Sequence, residues 1–305
     1  MSLLIAVTAC RSDRAHSDTT TSGDVRIAVD VSLQPVLDTE VFMFESTYKY
    51  AKIRATYTNE ADAVNLLLND SVRLAVIPRK LTKEEEAFLT DQQKITPRYT
   101  PLAYDAIAVI VHPENSDTDW KLEELKSVLS GTISSFSKLH PKHHFSNGDE
   151  IKVVVDQANS SIVRYVLDSL LKEKKLGPHV FAAGDNAAVI DYVSKTKNAV
   201  GLISLAWISD RDDSTANTFL KKVNVVALAP EGSDEYLSPF QYYLYKQEYP
   251  LTRKIFIVSR EARAGLGTGF AAFLAGDKGQ KIILKADLLP ASAPVRLIEV
   301  RKHLD

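Results

Sequence analysis

Apolar residues recur along the first part of the chain at two spacings, one typical of strands and one typical of helices. Within residues 32–50 the helical spacing places four apolar side chains on one face, namely Val36, Val41, Phe44 and Tyr48. The other elements predicted here are strands at 24–30, 52–58 and 72–78 and a helix at 60–70. Strands that alternate with helices in this way predict a mostly parallel sheet with helices on its faces.

The middle of the chain repeats this alternation. Residues 106–111 are apolar almost without interruption, as expected for a strand that is buried on both faces. A short amphipathic helix follows and ends at Gly131, a residue suited to the position after a helix. The remaining predicted elements are a strand at 152–155, a helix at 159–171, a helix and a strand within 185–208 and a strand at 223–232. These elements form a second α/β set.

The tail that begins at residue 249 is too short for a third core. It contains a strand at 249–259, a helical segment interrupted by Gly276 and Gly279, and an alternating run at 295–300. We therefore expect the tail to pack on the first α/β set.

This order of elements predicts two lobes. Lobe 1 comprises residues 24–105 plus 249–305, and lobe 2 comprises residues 106–248. A chain that leaves one lobe, builds another and returns crosses between them twice. The predicted fold is therefore an α/β clamshell, in which each lobe is a mixed sheet flanked by helices and a ligand binds in the cleft.

Composition narrows the class of protein. The 305 residues are more than a single core usually serves, which agrees with two lobes. The net charge of −2 argues against a nucleic-acid partner. No segment reaches the ~20 consecutive apolar residues of a membrane-spanning helix.

The single cysteine, Cys10, excludes an intrachain disulfide framework and any cysteine-rich zinc site. An apolar run ending in Val7-Thr8-Ala9 precedes it, and the polar residues 11–23 follow. This order resembles a bacterial lipoprotein signal, although the basic start of a full signal peptide is missing. The resemblance implies that residues 1–23 are a signal remnant and a tether, with a lipid on Cys10. The alternative is an unstructured N-terminus with an incidental cysteine.

Five segments, in chain order, resemble motifs of the phosphate-binding proteins of ABC transporters, which are type II periplasmic binding proteins. The segments are YDAIAVIVHPEN (104–115), LEELKSVLSGTISSFSKL (122–139), NAVGLISLAWI (198–208), YPLTRKIFIVS (249–259) and KGQKIILKADLLP (278–290). The resemblance extends from about residue 24 to the end of the chain. It implies two α/β lobes, a hinge, and an oxyanion held between helix N-termini.

The resemblance implies ligand contacts from lobe 1. Ser32, in the loop after the first strand, falls at the family's binding hydroxyl. Arg79 falls at an arginine that some members carry after the third strand. A guanidinium suits this role because it can donate two parallel hydrogen bonds to an oxyanion.

In lobe 2 the resemblance points to a helix start. Ser160 and Ser161 lie where the family has Ser-Gly-Thr, Asn159 precedes them, and Arg164 follows within the first turns. Free backbone N–H groups at such a start bind anions. The plainer alternative is that these small polar residues only cap the helix.

Three positions depart from the family pattern. Asp156 replaces an arginine, Ile162 replaces a threonine, and Glu60 replaces a serine. Two of these changes add negative charge near the predicted site. The ligand class therefore stays open between phosphate and another oxyanion.

Motifs of catalysis and of cofactor binding are missing from the sequence. It contains no Gly-x-Ser-x-Gly, His-Glu-x-x-His or Walker pattern. The histidines of HPKHHF (140–145) are interpreted as a solvated loop, and GLGTGF (265–270) as the loop before a tail helix. We expect no catalytic residue, cofactor or metal.

The function implied by the resemblance is that of a solute-binding component of an ABC importer. It would bind phosphate or a related oxyanion, act as a monomer, and deliver the ion to an inner-membrane permease. The lipid on Cys10 would hold it at the periplasmic face of the cell envelope. Two alternatives remain, a non-transport adhesion or signalling protein with an altered ligand site and, less favoured, an enzyme on this fold.

Overall fold

The computed structural model describes residues 18–141, 149–172, 175–210 and 212–292. Cys10, most of the tether, part of the histidine-rich segment and the alternating run at 295–300 lie outside these ranges. The predictions made for those segments therefore stay predictions.

The described strands and helices follow one another in largely alternating order. The strands are β1 (Ser22–Asp30), β2 (Tyr50–Thr58), β3 (Leu74–Ile77), β4 (Arg98–Val111), β5 (Asp119–Lys121), β6 (Lys152–Val155), β7 (Val180–Ala182), β8 (Ala199–Ser204), β9 (Asn224–Val225), β10 (Ala227–Ala229), β11 (Thr252–Ser259) and β12 (Leu289–Pro290). The α-helices are α1 (Gln34–Thr47), α2 (Glu60–Leu68), α3 (Lys83–Ala87), α4 (Leu122–Ser130), α5 (Phe136–Leu139), α6 (Ser161–Tyr165), α7 (Asn186–Lys195), α8 (Ser214–Leu220), α9 (Gln241–Tyr245), α10 (Leu266–Ala275) and α11 (Asp277–Lys285).

Local sequence explains several element ends. A capping box begins α3, because Thr82 and Glu85 each bind the other's backbone N–H. Helix α4 ends at Gly131, which has a positive φ of 84°. Gly276 separates α10 from α11, as the sequence predicted, whereas the interruption predicted at Gly279 is wrong because this residue lies within α11.

The sheet of lobe 1 runs in the order β2-β1-β3-β11-β4. Strands β2, β1 and β3 are parallel, whereas β11 lies antiparallel to both β3 and β4. Successive β1 residues serve opposite faces: Ile27 and Val29 belong to the main core, and Ala28 belongs to a second cluster with Leu67 and Leu81. The mixed sheet thus has helices on both faces.

Strand β4 belongs to both lobes. Its residues up to Ala106 pair with β11, whereas the segment from Ile107 to Val111 pairs with β8. Strands β6 and β7 extend the second sheet, in which β8, β6 and β7 are parallel. The chain returns beside this crossing, where Ile107 N–H donates to the carbonyl of Leu251. The predicted α/β fold with two lobes is confirmed. The lobe boundaries at 105/106 and 248/249 stay a prediction, and the names lobe 1 and lobe 2 keep the residue ranges of that prediction.

Two helices differ in detail from their prediction. The buried face of α1 consists of Val36, Leu37, Glu40 and Phe44, while Val41 is only half-buried. Helix α6 begins at Ser161 and passes at Val166–Leu171 into a wider π-helical turn. Among the described residues, no helix combines the length and apolar character needed to cross a membrane.

Glu40 is a carboxylic acid inside the core. It is fully buried, and neither carboxylate oxygen has a hydrogen-bond partner among the described residues. Burial raises its pKa from about 4.5 to about 8. At neutral pH the folded protein therefore holds Glu40 in its protonated form.

We expect Glu40→Gln to remove a pH dependence of stability. Between pH 4.5 and 8 the folded state keeps the Glu40 proton and the unfolded state releases it, so the free energy of unfolding falls as pH rises through this window. At pH 8.5 the variant should exceed the wild type by on the order of 5 kcal/mol, and at pH 4 the two should agree. Urea unfolding at several pH values measures this difference.

Glu84→Gln, the same substitution at an exposed helix position, is the matched control and should follow the wild-type curve. A constant difference between Glu40→Gln and the wild type at every pH would contradict a buried neutral Glu40.

Candidate anion-binding cleft

Ser32 lies in the loop that leaves β1, as the sequence predicted. Its backbone N–H donates to Asp30 Oδ1 at 2.9 Å, which closes the short 3-10 turn Val31–Leu33. Its carbonyl accepts a hydrogen bond from the indole Nε1 of Trp207 in lobe 2, also at 2.9 Å. The Ser32 hydroxyl is thereby held at the boundary between the lobes.

The two serines at the start of α6 have different roles. Ser160 is the N-cap, since its Oγ accepts from Val163 N–H at 3.2 Å. Ser161 is fully buried, and its Oγ accepts from Arg253 Nη1 at 2.9 Å. Asn159 is exposed. The predicted cap is thus present at Ser160, while the predicted anion cradle at these residues stays a prediction.

Arg253 joins the two predicted serines. This β11 residue is fully buried, and its Nη2 lies 3.4 Å from Ser32 Oγ in lobe 1, while its Nη1 binds Ser161 of lobe 2. Nη2 also donates to Asp105 Oδ2 at 2.5 Å, and Asp105 accepts a second hydrogen bond from Ser204. The guanidinium therefore contacts a predicted binding serine from each lobe.

The sequence reasoning did not select Arg253. The available signal was an arginine inside the otherwise apolar run at 249–259, where a charged residue needs a partner. Asp105, in the segment 104–115, binds both Arg253 and Ser204 and so lies where the two lobes meet.

Two further carboxylates surround this arginine. Burial raises the pKa of Asp30 to about 6 and also raises that of Asp156, although the Arg253 charge opposes both shifts. Asp30, Asp105 and Asp156 each keep one buried oxygen without a hydrogen-bond partner in the described part of the chain. The centre of the cleft therefore combines one guanidinium with three acidic side chains.

The two predicted arginines meet at Glu60 instead of at the serine pair. Arg79 Nε donates to Glu60 Oε1 at 2.7 Å. Arg164 donates to both oxygens of the same carboxylate, at 2.6 and 3.0 Å. Arg164 therefore faces the cleft and reaches across it. Glu60, which departs from the family pattern, is the group that both arginines bind.

The prediction that GLGTGF is the loop before a tail helix is wrong, because α10 already begins at Leu266, where the N–H groups of Gly267 and Thr268 donate to Glu261. Of the histidine-rich segment, His140 binds Asp117 and Glu124, while residues 142–145 lie outside the described ranges. Within the described residues no group of three or more His, Cys, Asp or Glu side chains could hold a metal ion.

A family model described as a PBP superfamily domain matches residues 14–278. The chain belongs to the PBP superfamily. It is 24% identical over 266 residues to the phosphate-binding protein PstS of Borreliella burgdorferi, a match that covers 85% of this chain and 87% of that protein. The resemblance recognised from the five motifs is confirmed by this relative.

Solved structures show the same fold at low identity. A substrate-binding protein from Clostridium perfringens with bound phosphate has a TM-score of 0.73 at 20% identity, with 88% of this chain and 100% of that chain covered. An ABC-type phosphate transport receptor from Vibrio cholerae has a TM-score of 0.65 at 20% identity with the same coverage. The superfamily assignment thus agrees with the two-lobed architecture.

We expect Arg253→Gln to destabilise the fold strongly. The change leaves Asp105 buried without its cation, which costs about 3–5 kcal/mol of unfolding free energy. Arg54→Gln is the control, because Arg54 and Asp24 form an ion pair of the same 2.5 Å length with side chains that are 63% and 47% exposed. Guanidinium unfolding should show a much smaller loss for the exposed pair.

The double variant Arg253→Gln with Asp105→Asn should recover part of the lost stability, because it removes the uncompensated charge as well. Equal losses for Arg253→Gln and Arg54→Gln would contradict the central role of the buried pair.

Proposed function

We propose that this protein is the solute-binding component of an ABC importer and that it binds phosphate or a related oxyanion between its lobes. The observation that carries the proposal is the Arg253 guanidinium, which contacts Ser32 of lobe 1 and Ser161 of lobe 2. Support also comes from the phosphate-binding names of the relative from Borreliella burgdorferi and of the Vibrio cholerae receptor.

The ligand would exploit donors from both lobes. The hydroxyls of Ser32 and Ser161 and the Arg253 guanidinium are close together, and the start of α6 adds backbone N–H groups. Asn159, Ser160, Arg79 and Arg164 complete the proposed set. The unpartnered oxygens of Asp30 and Asp156 would accept hydrogen bonds from a protonated ligand oxygen.

The proposal also includes the cellular location of the protein. A lipid on Cys10 would anchor the monomer at the periplasmic face of the cell envelope, where a permease would accept the ion. The protein would bind its ligand without chemical change. Mass spectrometry of the protein from the membrane fraction would detect the lipid, and an unmodified Cys10 there would contradict the anchor.

Titration calorimetry with phosphate, sulfate, molybdate and tungstate tests the ligand class. We expect saturable binding of phosphate, and Ser161→Ala should weaken it about 10–100-fold because a hydrogen bond to a charged group is lost. Ser127→Ala, a hydroxyl deletion on α4 of the same lobe, should leave the affinity unchanged. No binding of any of the four ions by a folded sample would contradict the proposal.

The affinity should also depend on the charge of Asp30. Below its pKa of about 6 Asp30 is neutral and no longer repels an anion, so binding should be tighter at pH 5 than at pH 8. Sulfate is the suitable probe, because it stays a dianion across this range. Asp30→Asn should reduce the pH dependence; a full wild-type slope in the variant would exclude Asp30.

A second candidate is a non-transport envelope protein on the same fold. The observation that favours it is Glu60, whose carboxylate already binds both predicted arginines. Neighbouring genes for a permease and an ATPase would favour transport. Their absence, together with no oxyanion binding, would favour the second candidate.

A further inference from the structure

Glu60 lies at the first position of α2, between the two lobes. Only 3% of it is exposed. Asn59 caps the helix in front of it by accepting from Asp62 N–H, and the Asn59 amide lies 3.5 Å from Gln157 of lobe 2. The carboxylate is thus placed at a helix start that faces the opposite lobe.

Three N–H groups bind the Glu60 carboxylate. One belongs to Arg79 of lobe 1, and two belong to Arg164 of lobe 2. A carboxylate held at a helix start by arginines from opposite lobes is bound as an external anion would be. Glu60 also lies close enough to Asp30 for its charge to raise the pKa of that acid, which places it beside the central site.

We propose that Glu60 is an internal competitor of the ligand, which holds the lobes together through Arg164 and lowers the affinity for external anions. The part that concerns affinity rests on the proposed function. The part that concerns the contact between the lobes does not, because it needs no ligand.

The two arginines differ in how firmly each lobe holds them. Arg79 donates from Nη1 and Nη2 to Glu85 at 2.6 and 2.9 Å, so lobe 1 retains it without Glu60. Arg164 has a 3.8 Å contact with the exposed Asp168 of its own helix. The link that breaks when the lobes separate is therefore the pair of Glu60 and Arg164.

Other contacts between the lobes do not depend on Glu60. Trp207 donates to the carbonyl of Ser32, and Ser209 donates to the carbonyl of Ala286. Arg253 of lobe 1 also donates from Nη1 to the Ser161 hydroxyl of lobe 2. These contacts would have to break together with the Glu60–Arg164 pair when the lobes separate, whereas the buried apolar residues of each lobe are unchanged in Glu60→Gln, so both lobes should stay folded.

Glu60→Gln tests the proposal, with Glu85→Gln as the matched control. Both changes remove one carboxylate from the same arginine cluster, but the hydrogen bonds to the Glu85 carboxylate come from Arg79 and Thr82 of lobe 1, and its capping role is open to glutamine. Small-angle X-ray scattering of the ligand-free proteins should show a larger radius of gyration for Glu60→Gln and no change for Glu85→Gln. Phosphate titration should give at least a tenfold higher affinity for Glu60→Gln.

Arg164→Gln separates the two parts of the proposal. It should open the lobes as Glu60→Gln does, and the double variant should open them no further. If Glu60→Gln keeps the wild-type radius of gyration and affinity, the proposal is overturned. If no variant binds phosphate but Glu60→Gln and Arg164→Gln both expand, the proposed function fails and the contact between the lobes is supported.

Discussion

The buried ion pair of Arg253 and Asp105 is the constraint on which the centre of this molecule depends. Both side chains are fully buried at the point where the chain passes between its lobes. A charge removed from water must be compensated nearby, and here each group also binds a serine of lobe 2, Ser161 or Ser204. The hydrogen bonds from this pair to the two serines therefore join the lobes.

This arrangement limits how the cleft can bind an anion. Arg253 is already opposed by Asp105, and Asp30 and Asp156 add further acidic groups around it. Arg79 and Arg164, in turn, are opposed by Glu60. An incoming oxyanion has to compete with carboxylates of the protein for every one of these cations, so selectivity would come from the cost of displacing them as much as from new contacts.

Local and periodic features of the fold were predictable from the sequence, and the site was predictable only in part. The apolar run at 106–111, the capping box at Thr82 and the end of α4 at Gly131 depend on neighbouring residues, which the sequence displays directly. The resemblance placed Ser32 and Ser161 correctly at the boundary between the lobes. Their roles as ligand contacts stay untested.

Arg253 and Glu40 were missed for a physical reason. The contacts of Arg253 with Ser161 and Ser32 span 92 and 221 residues, a distance at which spacing carries no information. Glu40 has the polarity of a surface residue, and only the packing around α1 buries it. The contact of Glu60 with Arg164 spans 104 residues and was likewise invisible. Long-range charge pairing was thus the part of the structure that sequence patterns did not contain.

The position of β11 has a consequence for the order of folding. This strand lies between β3 and β4, although it follows both of them in the chain by well over a hundred residues. During synthesis the edges of β3 and β4 therefore stay unpaired until Ser259 has left the ribosome, when lobe 2 is already complete in sequence. Pairings of such long range close slowly. Synthesis of lobe 1 therefore starts before that of lobe 2 and ends after it. For most of this time the nascent chain lacks β11, the strand that completes the sheet of lobe 1.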